Sequence, residues 1–212
     1  MSSGIIDKNN TYLNRRSIRL KGFDYTKQGA YFITICTNNR DNLFGEIVSD
    51  KIILNEYGEI ANAVWKKIPN HFPNVELDEY IIMPNHVHGI IVIGGNNARA
   101  IDYSVGAIHE LPLQETTLPQ QKDFVANRIY RRKMTIPKIV GYYKMNITKQ
   151  INLLRNKPGV TVWQRNYYDR IIRNDVELKI KREYIKNNPA RWNEDENNPA
   201  VYKNTVKNIS RD

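Results

Sequence analysis

Two histidines, His86 and His88, stand one residue apart in the run His86-Val87-His88-Gly89-Ile90-Ile91-Val92-Ile93. Beyond the pair the run is apolar and β-branched, and Gly94-Gly95 ends it, so it reads as a strand. Side chains alternate along a strand. Both imidazoles therefore leave one face, and Val87 points the other way into a core. Two neutral imidazoles side by side make half of a divalent-metal site. A His-x-His pair on a strand is, taken bare, more often a pair of core-edge histidines than a pair of ligands. The chain has 4 His in all. His71 and His109 fall in loop-like sequence and receive no role.

The second candidate group is a phenol. Tyr184 and Asn188 are four apart in a helical stretch and so share a face. A phenol and an amide oxygen there can approach one metal-bound phosphate. There are 13 Tyr in the chain. On these grounds alone Tyr142, Tyr143, Tyr167 and Tyr168 are rivals, and a core tyrosine on an amphipathic helix is the plainer reading of Tyr184.

These groups need elements to hold them. Residues 30–37 (AYFITICT) form a strand bounded by Gly29 and Asn38-Asn39. Residues 42–54 hold two short apolar runs, a weak hairpin. Residues 55–68 carry Ile60, Ala61, Val64, Trp65 and Ile68 at helical spacing, with Pro69 and Pro73 as stops. Residues 75–83 and 86–93 form two strands around a Pro84-Asn85 turn. A helix over 137–155 follows from Ile139, Val140, Tyr143, Ile147, Ile151 and Leu154. Residues 160–172 (VTVWQRNYYDRII) are strand-rich. A last helix runs over 175–187, capped by Asn174 or Asp175 and ended by Pro189, with Val176, Ile180, Tyr184 and Ile185 as its apolar positions. The order predicts an α+β fold, a ferredoxin-like antiparallel sheet with helices packed on one face. Residues 1–22 read as a basic arm, 23–192 as a single catalytic domain, and 193–212 as a polar tail. Residues 96–126 lack a period and read as an insertion or flexible loop.

Charge narrows the partner. With 32 Lys and Arg against 22 Asp and Glu, the formal charge is +10. That balance suits a polyanion. Residues 127–157 hold nine of the positive charges and no acid. Arg15, Arg16 and Arg19 in the arm, with Arg131, Arg132, Lys133, Lys144 and Arg165, are the candidate DNA contacts. Tyr130, Tyr142 and Tyr143 could stack on unpaired bases, though Tyr143 sits at a core spacing. The single Cys36 excludes an internal disulfide and a zinc ribbon. Residues 1–10 lack the apolar core of a secretory signal, and no apolar run approaches the ~20 residues of a membrane span. A cytoplasmic protein with no membrane partner is expected.

Three ordered blocks carry a resemblance. Tyr80-Ile81-Ile82-Met83-Pro84-Asn85-His86-Val87-His88 resembles the signature of the single-tyrosine His-hydrophobic-His transposases, and within them the REP-associated tyrosine transposases. Val162-Trp163-Gln164-Arg165-Asn166-Tyr167-Tyr168-Asp169, with Ile172-Arg173-Asn174, resembles that group's second block. Glu183-Tyr184-Ile185-Lys186-Asn187-Asn188-Pro189 resembles its Tyr-Ile-x-x-Asn-Pro helix. The resemblance covers about residues 20–192. It implies that Tyr184 is the nucleophile, that His86, His88 and Asn188 hold the cation, and that the cation is Mg²⁺ or Mn²⁺. Asn188 stands where many relatives outside the REP-associated group have Gln. The resemblance further implies cleavage of single-stranded DNA at hairpins of repetitive palindromes through a 5′-phosphotyrosine, by a monomer or a homodimer. A non-catalytic nucleic-acid-binding module of the same fold, or a metal-dependent nuclease using water, are the competing expectations.

Overall fold

The computed structural model describes residues 28–94 and 134–201. Arg15, Arg16, Arg19, Arg131, Arg132, Lys133 and the segment 96–126 lie outside the described residues.

Strand β1 (Gly29–Cys36) is built from β-branched and aromatic residues, and both of its faces are buried. A short hairpin follows, β2 (Gly45–Val48) and β3 (Lys51–Leu54), where the two apolar runs predict one. Helix α1 (Glu56–Lys66) begins at Asn55, whose side chain accepts from Gly58 N–H at 3.0 Å. Pro69 sits in the first turn of the short α2 (Ile68–His71) rather than ending α1. Strands β4 (Val75–Ile82) and β5 (His86–Ile93) pair across the Pro84-Asn85 turn. Helix α3 (Thr135–Leu154), strand β6 (Tyr168–Ile172) and helix α4 (Asp175–Asn187) complete the described elements.

The four long strands form one antiparallel sheet in the order β4-β5-β1-β6. With α1 between β1 and β4 and α3 between β5 and β6, this is the ferredoxin-like arrangement that the element order predicts.

Helices cover both faces of the sheet, not one. On the first face Tyr31, Ile33 and Ile35 of β1 and Val87, Ile91 and Ile93 of β5 join α1 and α3 in the main core. Five of the six apolar positions expected of α3 are buried there, and only Leu154 stays outside. Gly89 faces that core where the Trp65 ring of α1 lies on β5. A Cβ at Gly89 would stand 2.2 Å from Trp65 Cζ2. On the second face Ala30, Phe32, Ile90, Val92 and Ile172 meet Leu178 and Ile185 of α4.

The buried face of α4 differs in part from the expected one. Ile185 is buried as expected, but Val176 and Ile180 are exposed, and Leu178 completes the contact. Leu178 falls at helical spacing from Ile185, and Val176 and Ile180 from Tyr184, so periodicity could not choose between them. Two ion pairs add to this docking: Arg182 bridges to Asp78 of β4 with Nε at 2.8 Å from Oδ1, and Lys186 reaches Glu79 at 3.4 Å. Residues 160–167 are not a strand. Their link to β1 is one bridge between Thr37 and Trp163 and two flanking backbone bonds, Asn38 N–H to Val162 O and Gln164 N–H to Cys36 O.

Candidate active site

His86 and His88 lie on the α4 side of β5, at the centre of the sheet, and both are buried. Each imidazole is held from behind. Asn85 Nδ2 donates to the carbonyls of Arg40 (2.9 Å) and Asn197 (2.7 Å), which fixes the amide's orientation. Its Oδ1 therefore faces His86 Nδ1 at 2.8 Å and must accept. Nδ1 carries the proton, and His86 Nε2 is left with a bare lone pair and no hydrogen-bond partner. His88 Nδ1 meets Thr34 Oγ1, its cross-strand neighbour on β1, at 2.8 Å. The Tyr184 hydroxyl lies within hydrogen-bond distance of His88 Nε2, at 3.3 Å.

Burial drives both imidazoles to the neutral form that a metal ligand needs. Burial pushes His86 down to about 4, with Asp195 and then Asn188 pulling the other way. His88 is held well below its ordinary value by burial, then by His86 and Lys181. The 3.7 Å approach of His86 Nε2 to Asp195 Oδ2 is thus a contact between a neutral ring and a carboxylate, not an ion pair.

Helix α4 brings Tyr184 and Asn188 over this pair. Asn188 Nδ2 donates to Asp195 Oδ2 at 3.1 Å, while its buried Oδ1 has no hydrogen-bond partner. Nitrogen atoms of His86 and His88 and a carboxylate oxygen of Asp195 lie within 4.8 Å of one another. Two orphaned buried acceptors, His86 Nε2 and Asn188 Oδ1, beside an imidazole and a carboxylate are a donor set for a divalent cation, since buried acceptors without donors are costly otherwise. The set fits Mn²⁺ or a later metal through its imidazoles, and Mg²⁺ through its oxygens.

Tyr184 is 37% exposed, so its phenol opens to a cleft of about 420 Å³. Burial, then Asp195 and Glu196, pushes that phenol up to about 12, which keeps it protonated at neutral pH.

No family model matches the chain. An uncharacterised protein of Haemophilus influenzae is 41% identical over 185 residues, 86% of this chain and 92% of its own length. A second protein of that organism, named "Putative REP-associated tyrosine transposase", is 25% identical over 176 residues, 79% of this chain and 74% of its own. The chain is thus similar, over most of its length, to a protein named as a REP-associated tyrosine transposase. A solved structure, a REP-associated tyrosine transposase bound to a REP hairpin, aligns over 77% of this chain and 67% of its own at 18% identity, with a TM-score of 0.40.

The four family positions expected to do chemistry, His86, His88, Tyr184 and Asn188, converge on one point of the fold. The rival tyrosines do not: Tyr143 is buried in the opposite core against Trp65, and Tyr142 stacks on His71. Tyr167 and Tyr168 line the cleft, but Tyr184 is the phenol bonded to a site histidine. Lys144, a candidate DNA contact, donates to the carbonyls of Gln164 (2.7 Å) and Asn166 (2.9 Å) and holds the loop that borders the cleft. Burial lowers its ammonium to about 8. Arg165 is exposed on that loop, between two cleft-lining residues.

Sequence reasoning missed Asp195. It lies in the segment expected to be a polar tail, yet Asp195, Asn197 and Asn198 are buried. The signal was weak: one acid within Asn-rich sequence, with no periodicity to draw it inward. Asn85 was read as a turn residue, and its hold on His86 became visible only in three dimensions.

Proposed function

We propose that this chain is a metal-dependent single-stranded DNA endonuclease and strand transferase that acts on DNA hairpins of repetitive palindromes. The reading is carried by the convergence of His86 Nε2, His88 Nε2, Asn188 Oδ1 and Asp195 on the Tyr184 phenol. His86, His88, Asn188 and Asp195 would hold a divalent cation, Mg²⁺ or Mn²⁺, with Mn²⁺ the tighter binder. Such a cation polarises a phosphodiester and offsets the charge that grows in its transition state.

Tyr184 Oη attacks phosphorus. The bond from phosphorus to the 3′ oxygen breaks and a phosphotyrosine ester forms. The phenol gives up its proton, and the departing 3′ oxygen gains one. The 5′ phosphate stays on the enzyme and the 3′-OH is free. One ester has been exchanged for another, so rejoining needs no ATP. A phenol at about 12 is a poor nucleophile, so it must lose its proton in a site made more positive than the metal-free one.

Arg165, with Arg15, Arg16, Arg19, Arg131, Arg132 and Lys133 from the sequence, would contact the phosphate backbone. Among the described residues no helix is long and apolar enough to cross a membrane.

The test is a labelled DNA hairpin with a single-stranded flank, incubated with Mn²⁺ and resolved under denaturing conditions. Wild type should give a covalent protein–DNA adduct. Tyr184→Phe should give none while binding the hairpin as before. Cleavage without an adduct would point to a water-using nuclease, and binding without cleavage to a non-catalytic module.

A further inference from the structure

Lys181 lies one turn before Tyr184 on α4, half-buried, and lines the cleft with it. Residues 181, 184 and 188 follow one another on a single stripe of the helix. The floor beneath them is Phe32 of β1. The Phe32 ring stacks on His88 at 5.3 Å between centroids and meets the edge of Tyr184 at 5.9 Å. Lys181 Nζ stands 4.6 Å from the Phe32 centroid and 5.5 Å from that of Tyr184. One aromatic ring thus sets the imidazole, the phenol and the ammonium around a single opening.

Among the described residues that ammonium is in no ion pair, and Glu177 acts on it only through space. Glu177, four residues earlier, is the natural helical partner. Its carboxylate is already taken by Arg170 Nε at 2.6 Å and by the Arg173 N–H at 3.0 Å. Lys179 stays in water at an exposed position, and Lys186, also exposed, reaches Glu79. Lys181 instead holds its charge against two ring faces, where cation–π attraction offsets only part of the lost hydration. An ammonium kept in a cleft outside any ion pair is poised for an anionic ligand.

The cleft therefore has two poles. The acceptors of His86, His88, Asn188 and Asp195 form one. Lys181 is the other, and the Tyr184 phenol lies between. A phosphodiester has two non-bridging oxygens, and both gain charge when a phenol attacks.

We propose that Lys181 binds a non-bridging oxygen of the scissile phosphate and stabilises its charge in the transition state. This rests on the strand-transfer reading above and adds a substrate-contacting residue to it. Lys181 supplies its charge from over the Phe32 and Tyr184 rings and forms no covalent bond to DNA.

The test uses the full chain with the hairpin substrate and Mn²⁺. Lys181→Met should lower the single-turnover rate of adduct formation by about 100-fold. The thermal midpoint should stay near wild type, hairpin Kd should weaken no more than the loss of one phosphate charge weakens it, and Lys181→Arg should restore much of the rate, since it keeps the charge. A second measurement needs no chemistry. In a Tyr184→Phe background, a methylphosphonate at the cleavage position removes one phosphate charge. It should weaken hairpin binding when Lys181 is present and have at most about a twofold effect when residue 181 is methionine. A Lys181→Met rate within about threefold of wild type overturns the proposal, as does a methylphosphonate effect that is the same with and without Lys181. If wild type itself forms no adduct, the strand-transfer reading has failed instead, and the binding cycle still reports on Lys181.

Discussion

Acidification of the metal-free protein should cost stability through His86. Two effects oppose each other on this imidazole: burial disfavours the cation, and Asp195 at 3.7 Å favours it. Burial wins, and the ring sits at about 4 instead of 6.5. The unfolded chain takes up a proton near 6.5, while the folded one resists until about 4. Stability is therefore fully present above 6.5 and falls as the pH drops toward 4. The depression corresponds to about 3 kcal/mol. His88, also held low by burial, adds loss of the same sign. Asp78, held low by its bond to Arg182, begins to lose its contribution lower in the acid range, so a control is needed. His86→Asn supplies it, because the asparagine amide can still donate to Asn85 Oδ1 and carries no titrating group. Urea unfolding in EDTA should be followed for both proteins from pH 7.5 to 4.5. The stability difference between them should shift against wild type by most of that 3 kcal/mol. A difference that stays flat across this range would refute the reasoning, because it would mean that the folded ring accepts its proton as readily as the unfolded one.

Asn85→Ala should weaken Mn²⁺ binding by roughly 10- to 100-fold, as loss of a residue that orients a ligand does. Calorimetric titration with Mn²⁺ checks this, and wild-type affinity would show that β5 alone orients His86. Gly89→Ala drives a methyl group into the Trp65 ring, where its nearest atoms would stand 2.2 and 2.8 Å away. It should cost about 3 kcal/mol in urea unfolding. A loss below about 1 kcal/mol would mean that Trp65 can swing aside.

Several features of the site were legible in single segments. The alternation in His86-Val87-His88 put two imidazoles on one face and Val87 in the core, as found. The run after Asn174 predicted a helix over 175–187, and α4 has those bounds. The four-residue step from Tyr184 to Asn188 placed the two side by side. Misreadings arose where segments had to be ranked against one another. Val176 and Ile180 form a valid apolar stripe, but Leu178, beside the expected Ile185, found the better partners in Phe32, Ile90 and Val92. Residues 160–167 have strand composition, yet beyond β6 they meet the end of β1 through a single bridge.

By itself the sequence determined the order of the elements, the caps and turns that bound them, and which residues share a face. These follow from interactions within a few residues of chain. The tertiary structure alone decided which face meets which. It brought Asp195 to within 3.7 Å of a histidine more than a hundred residues away. It spent the amide of Asn85 on carbonyls so that its oxygen must hold His86. It also gave Glu177 to Arg170 and left Lys181 in no ion pair among the described residues. The physical reason is that periodicity carries the direction of a side chain relative to its own backbone. The partner it meets depends on how sheet and helices bury the most apolar surface together, a property of no single segment.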